Sequence, residues 1–199
     1  MNTLAAVAGI ATVAAITPGP NNFIVLGAAA RGGFIAALAP ILGVIAGFLA
    51  MLGLMWSGAA AVFRSAPWVL PLMTVLGVAY LCWLGLLMAW RAGREPHRPA
   101  EARGMSASWA SVFAFQFANP KAWVMVLTIT SAVSSGDGPH HLFVELSALL
   151  AAILGACLAV WAAAGAALSR IIERQAIRVW FDRAMGFALA GSAVMLIVP

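Results

Sequence analysis

The amino-acid sequence predicts an all-α, polytopic membrane protein. Six transmembrane helices form two inverted three-helix repeats, with the first and fourth helices broken. Three observations predict this fold. The chain has 199 residues, of which 64% are hydrophobic and only 9% charged, with a mean hydropathy of +1.01. A soluble domain carries about 25% charged residues, so this chain has too few to cover a water-facing surface. The apolar residues fall into runs long enough to cross a bilayer, which takes about 20 residues of helix. Two of those runs carry matched polar interruptions. The runs are too long for strands and lack their period-two alternation.

The first run, 3–29, has no basic residue before Arg31 and extends past any signal-cleavage position. It therefore reads as a retained span. It is interrupted by "TPGPNN" and ends at "RGG", 31–33. The second run, 34–57, carries Gly43 and Gly47, a small-xxx-small pair suited to close helix packing, and is followed by "RSAP", 64–67. The third, 67–90, has Trp68 and Trp90 near its ends, and the fourth, 109–134, starts at Trp109. Tryptophans at such positions mark the membrane interface. The fifth, 142–168, holds Glu145 in its first turn and is bounded by "SSGDGPHH" (134–141) and "SRIIERQAIR" (169–178). The sixth, 180–198, starts at Trp180, places Asp182 and Arg183 as an interfacial ion pair, and carries Gly186 and Ala190. The whole chain, 1–199, reads as one transmembrane domain: repeat 1 over 1–90, a linker over 91–108, and repeat 2 over 109–199.

Orientation follows from the short connections. The first, third and fifth hold Arg31, Arg91, Arg94, Arg98, Arg103, Arg170, Arg174 and Arg178; the second and fourth hold only Arg64. The arginine-rich connections face the cytoplasm, and both termini face the periplasm. The net charge of +5 is thus a topology signal and an anionic-lipid contact, not a nucleic-acid surface.

Pro20 and Pro120 lie 100 residues apart, in the first and fourth runs. Each begins an apolar continuation followed by two more spans. Three helices per repeat place the two halves in opposite orientations.

A proline inside a helix removes a backbone donor and crowds the preceding turn. Pro18 and Pro20, around Gly19, unwind the first span; Pro120 does so in the fourth. The freed carbonyls must face protein or water. Thr17, Asn21 and Asn22 at the first break, and Asn119 and Lys121 at the second, supply polar groups there. The start of a helix suits a carboxylate, and carbonyls suit an ammonium, so a site with both fits a zwitterion. Lys121 is the only lysine; at the bilayer centre it costs about 2.5–3.5 kcal/mol on insertion scales. It therefore reads as facing the interior, where it binds a carboxylate, exchanges a proton or pairs with a protein group; snorkelling to an interface is the alternative. Phe48 and Trp123 are candidate lining residues. Taken singly, either break also reads as a structural kink.

Catalytic signatures such as HExxH, GxSxG and paired intramembrane carboxylates are absent. Cys82 and Cys157 lie in different runs with no ligand spacing, and His97, His140 and His141 fall in connections. No enzyme, cofactor or metal site is expected.

The motifs "TPGPNN" (17–22), "LGVIAGF" (42–48), "GVAYLCWLG" (77–85), "FANPKAW" (117–123) and "RVWFDRAMGFALAG" (178–191) together resemble the LysE/RhtB superfamily of bacterial amino-acid exporters along nearly the whole chain. The resemblance implies a six-helix translocator in the inner membrane, driven by the proton gradient. Many members carry Asp or His after the glycine matching Gly47; here it is Phe48, which speaks against a basic substrate. The family's "LPQF"-like segment is also replaced by "LTITSAVSSG". Phe48 and the "FQFANPK" pattern look most like the cysteine/O-acetylserine exporter branch. The expectation is export of small neutral amino acids or related metabolites, with one half rocking against the other. A passive small-solute channel and a non-transporting scaffold subunit are the alternatives. Expected partners are an amino-acid substrate and membrane lipids, with no nucleic acid and room for a homodimer.

Overall fold

The computed structural model describes residues 3–94, 108–133, 140–172 and 175–195. Among the described residues every regular element is helical. The first interruption appears where the prolines demand it. Helix α1 (Thr3–Ile16) stops before Pro18, and α2 (Pro20–Ala36) restarts with Pro20 at its first position. A proline there loses nothing, because that N–H has no intrahelical acceptor. The two axes are bent by 55°.

The expected end of the first span at "RGG" is corrected. Arg31, Gly32 and Gly33 lie within α2, which kinks there and continues to Ala36. Gly33 takes a φ of 74°, a left-handed conformation open to glycine. Helix α3 (Leu38–Leu54) leads into a π-helical turn, Met55–Ala59, then α4 (Ala60–Ser65) and α5 (Val69–Arg91). The second interruption separates α6 (Trp109–Ala118) from α7 (Pro120–Val133), bent by 70°.

The last two helices, α8 (His140–Ile172) and α9 (Gln175–Val194), also depart from expectation. The "SRIIERQAIR" segment is helical on both sides of 173–174, which lie outside the described residues. Arg, Glu and Gln are good helix formers, so α8 and α9 each reach further into this charged segment than the expected bounds of 168 and 180, and the division between them falls within it. Because α8 starts at His140, Glu145 falls in its second turn. Linker residues 95–107 and connection residues 134–139 lie outside the described residues, as do both extreme termini.

Among the described residues, Leu38–Ala59, Val69–Arg91 and His141–Ser169 are each long and apolar enough to cross a membrane; counting each bent pair as one crossing gives up to five. Helix α9, with Arg178, Asp182 and Arg183 along its 20 residues, is not among them.

Three packings organise the molecule. Helices α5 and α9 meet at Gly85 and Gly186, where a Cβ on either would strike the other's carbonyl oxygen. Gly85 also faces Ala190 while Gly186 faces Ala89, so the two helices run antiparallel. Helix α3 lies parallel to α6, with Gly43 against Trp109 and Val112, and Gly47 against Gln116. Helix α2 lies parallel to α8: Phe23 stands edge-on to Trp161 with ring centroids 6.1 Å apart, and Gly165 abuts the Leu26 carbonyl. Small residues permit these approaches, and dispersion across the close contact stabilises them where lipid is as apolar as the partner. Each of these packings joins the N-terminal half to the C-terminal half, so the halves are interleaved. The core between α1, α3, α7 and α8 is apolar, centred on Phe48, Met51, Val126 and Leu150.

Candidate functional site

The first break frees the carbonyls at the end of α1, and the fold supplies a donor to each of four. The Asn22 amide donates to Ala15 O at 2.9 Å. The Trp161 indole, from α8, donates to Ile16 O at 3.2 Å. The Lys121 ammonium, from α7, donates to Thr17 O at 2.7 Å and Pro18 O at 3.4 Å. Gly19 makes room for this lysine: a Cβ there would lie 2.9 Å from Nζ. Thr17 and Pro18 are exposed, and Lys121 is partly so. The first turn of α2 has no side-chain cap, so its leading N–H groups retain their attraction for an anion.

The second break is satisfied mostly from within. Asn119 takes extended backbone angles, and its Oδ1 accepts the Lys121 N–H at 3.1 Å, capping α7. The Asn119 N–H returns to Gln116 O at 3.1 Å. The Trp123 indole donates to Phe117 O at 2.9 Å. Helix α5 comes close at Gly77, where a Cβ would strike the Ala118 carbonyl.

An amide cluster ties the breaks together. Asn21 Nδ2 donates to Gln116 Oε1 at 2.9 Å, and Gln116 Nε2 donates back to Asn21 Oδ1 at 3.0 Å. Asn119 Nδ2 adds a bond to the same Asn21 oxygen at 3.2 Å. Gln116 is 0% exposed and also donates to Val112 O at 3.0 Å. A reciprocal pair in a low-dielectric interior is strong while complete and costly when one member is removed.

Of the sequence candidates, Thr17, Pro18, Gly19, Asn21, Asn119 and Lys121 come together. Pro20 and Pro120 start the resumed helices. Asn22 is buried and turned back onto α1. Phe48, 2% exposed, lies in the apolar core with Trp123, whose indole seals the second break. Two contributors escaped the sequence reading, Gln116 and Trp161. The signal for Gln116 was a lone amide in an apolar run, three residues before Asn119. Trp161 carried no local signal, because its acceptor is 145 residues away. The expected Asp182–Arg183 pair is also corrected: Asp182 Oδ1 pairs with Arg31 Nη2 at 2.8 Å, joining α9 to α2. The kink after Arg31 keeps that side chain on a helix facing α9 instead of in a loop.

Lys121 meets no carboxylate among the described residues. No group of three His, Cys, Asp or Glu able to hold a metal occurs among them. A cation held by carbonyls beside an uncapped helix start suits small charged solutes.

The family model described as "LysE type translocator" matches residues 12–199. The "Cysteine/O-acetylserine efflux protein" of Salmonella typhimurium (strain LT2) is 30% identical over 154 residues, covering 77% of each chain. The protein of the same description from Escherichia coli (strain K12) is 29% identical over 166 residues, 81% of this chain and 82% of the other. No solved structure matches. Apolar crossings broken at matched prolines, and a family match over nearly the whole length, make this chain a transport protein of the bacterial membrane rather than an enzyme, and a member of the LysE type translocator family.

Proposed function

We propose that the chain exports small neutral amino acids or related metabolites, of the cysteine/O-acetylserine kind, across the bacterial inner membrane. The observation that carries this reading is the junction of the two breaks, with the Lys121 ammonium on the Thr17 and Pro18 carbonyls. The relatives' description as efflux proteins supports the substrate class. Six alternating spans accord with the parallel α2–α8 and α3–α6 pairs and the antiparallel α5–α9 pair, and the arginine-rich connections support periplasmic termini. Substrate sits between the broken helices, with the Thr17 and Pro18 carbonyls on one side and Lys121 on the other, while Asn21, Asn22 and Asn119 hold the two breaks in shape. Pro18, Gly19, Pro20 and Pro120 shape the site. Phe48 behind the site adds no titratable group and favours a neutral side chain.

Access alternates, driven by the proton gradient. Rocking one half against the other would part all three major packings at once, so the moving bodies are the mixed pairs. The test is a metabolite comparison of medium from cells with and without the overexpressed chain, followed by uptake into inverted vesicles. Uphill accumulation of L-cysteine or O-acetyl-L-serine that collapses with an uncoupler is the expected result. Downhill equilibration alone would make the protein a pore, and no flux would make it a scaffold.

A further inference from the structure

Lys121 presents an unbalanced arrangement. Its ammonium occupies two backbone carbonyl oxygens of the opposite broken helix and touches no carboxylate among the described residues. A cation removed from bulk water is best stabilised by an anion, and carbonyls meet that need only in part. The adjoining first turn of α2 is a second uncapped attraction for negative charge. Asn21, by contrast, is committed to Gln116 and Asn119 and offers little to a newcomer. Exposed Thr17 and Pro18 make the lysine's position reachable from outside the core.

We propose that Lys121 occupies the place of the substrate's own ammonium group. A zwitterionic α-amino acid enters by exchange: its ammonium takes the Thr17 and Pro18 carbonyl oxygens, and its carboxylate takes the released Lys121 ammonium beside the start of α2. This rests on the exporter reading and adds its recognition rule, which is that both charged ends are required. A substrate without the carboxylate frees Lys121 with nothing to hold it. A substrate without the ammonium offers no replacement for Lys121 on the two carbonyls, so the lysine stays on them and its release to the carboxylate is opposed. No protein carboxylate is needed, because the substrate brings the anion and replaces the cation it displaces.

Lys121 is the only lysine in the chain, which makes a direct test practical. Selective 13Cε-lysine labelling of the full chain in lipid nanodiscs leaves the ammonium intact and gives one lysine side-chain NMR resonance, assigned by its loss in Lys121→Met. L-cysteine, O-acetyl-L-serine and L-leucine are titrated against cysteamine, which lacks the carboxylate, and N-acetyl-L-cysteine, which lacks the ammonium. A saturable shift with at least one zwitterion is expected, with both truncated analogues at least tenfold weaker. Equal potency of cysteamine or N-acetyl-L-cysteine overturns the proposal, as does a resonance unmoved by every zwitterion. Counterflow of L-cysteine in the same preparation separates the two claims. Exchange with an unmoved resonance removes the recognition rule and leaves the exporter. A shifted resonance without exchange does the reverse.

Discussion

The two breaks look alike in sequence and differ in how their backbone is satisfied. At the second, Asn119 caps α7 and Trp123 seals Phe117 O from the following turn. At the first, Ile16 O depends on Trp161 of α8, and Thr17 O and Pro18 O depend on Lys121 of α7. Of the four freed carbonyls only Ala15 O has a local donor, the Asn22 amide. A break held by its own neighbours keeps its shape when other helices move. A break held by borrowed donors changes partners when they do. The second is therefore the platform that carries Lys121, and the first is where exchange takes place.

Substitutions sharpen this contrast. The largest stability effect is expected from Gln116→Leu. It leaves the half-buried Asn21 Nδ2 without its acceptor and takes one of the two donors from Asn21 Oδ1, at about 1–3 kcal/mol for an unsatisfied group. Thermal unfolding in detergent should show a clear fall in Tm; an unchanged Tm would mean the cluster does not tie the breaks together. Next comes Trp123→Phe, which keeps the ring but leaves Phe117 O unpaired in the interior, for a loss of roughly 1–3 kcal/mol. Trp161→Phe should cost less, about 0.5–1.5 kcal/mol, because its bond to Ile16 O is more exposed and longer, 3.2 Å against 2.9 Å for Trp123. Equal Tm shifts for the two tryptophans would erase the distinction between the breaks. The smallest effect is expected from Arg31→Gln, whose partly exposed pair with Asp182 contributes about 1 kcal/mol or less. A large, salt-insensitive loss would instead make that pair a principal strut.

Much of this was legible in the residues. Pro18, Pro20 and Pro120 fixed both breaks because proline's missing donor acts locally. The polar set at the junction followed from the same two segments, since a freed backbone group in lipid demands partners nearby. What sequence did not give is which partner each group takes. Trp161 and Gln116 act across 145 and 95 residues, and no local pattern encodes such pairings. Arginines misplaced two boundaries for a related reason. At "RGG" the helix continues past Arg31 to Ala36, and in "SRIIERQAIR" Arg170 and Arg178 lie on α8 and α9, so these charges report the surroundings of a helix. Asp182 was assigned to its neighbour Arg183, whereas its partner Arg31 arrives only when α2 packs beside α9.

The account stands most directly on Lys121 and the first break. Counterflow of labelled L-cysteine and O-acetyl-L-serine in sealed vesicles should be compared for the wild-type chain, Lys121→Arg and Lys121→Met, with Tm measured on each. The account predicts at least a tenfold loss of exchange in Lys121→Met, with a fall in Tm no larger than that of Gln116→Leu, and partial exchange in Lys121→Arg. Wild-type exchange by well-folded Lys121→Met would contradict it.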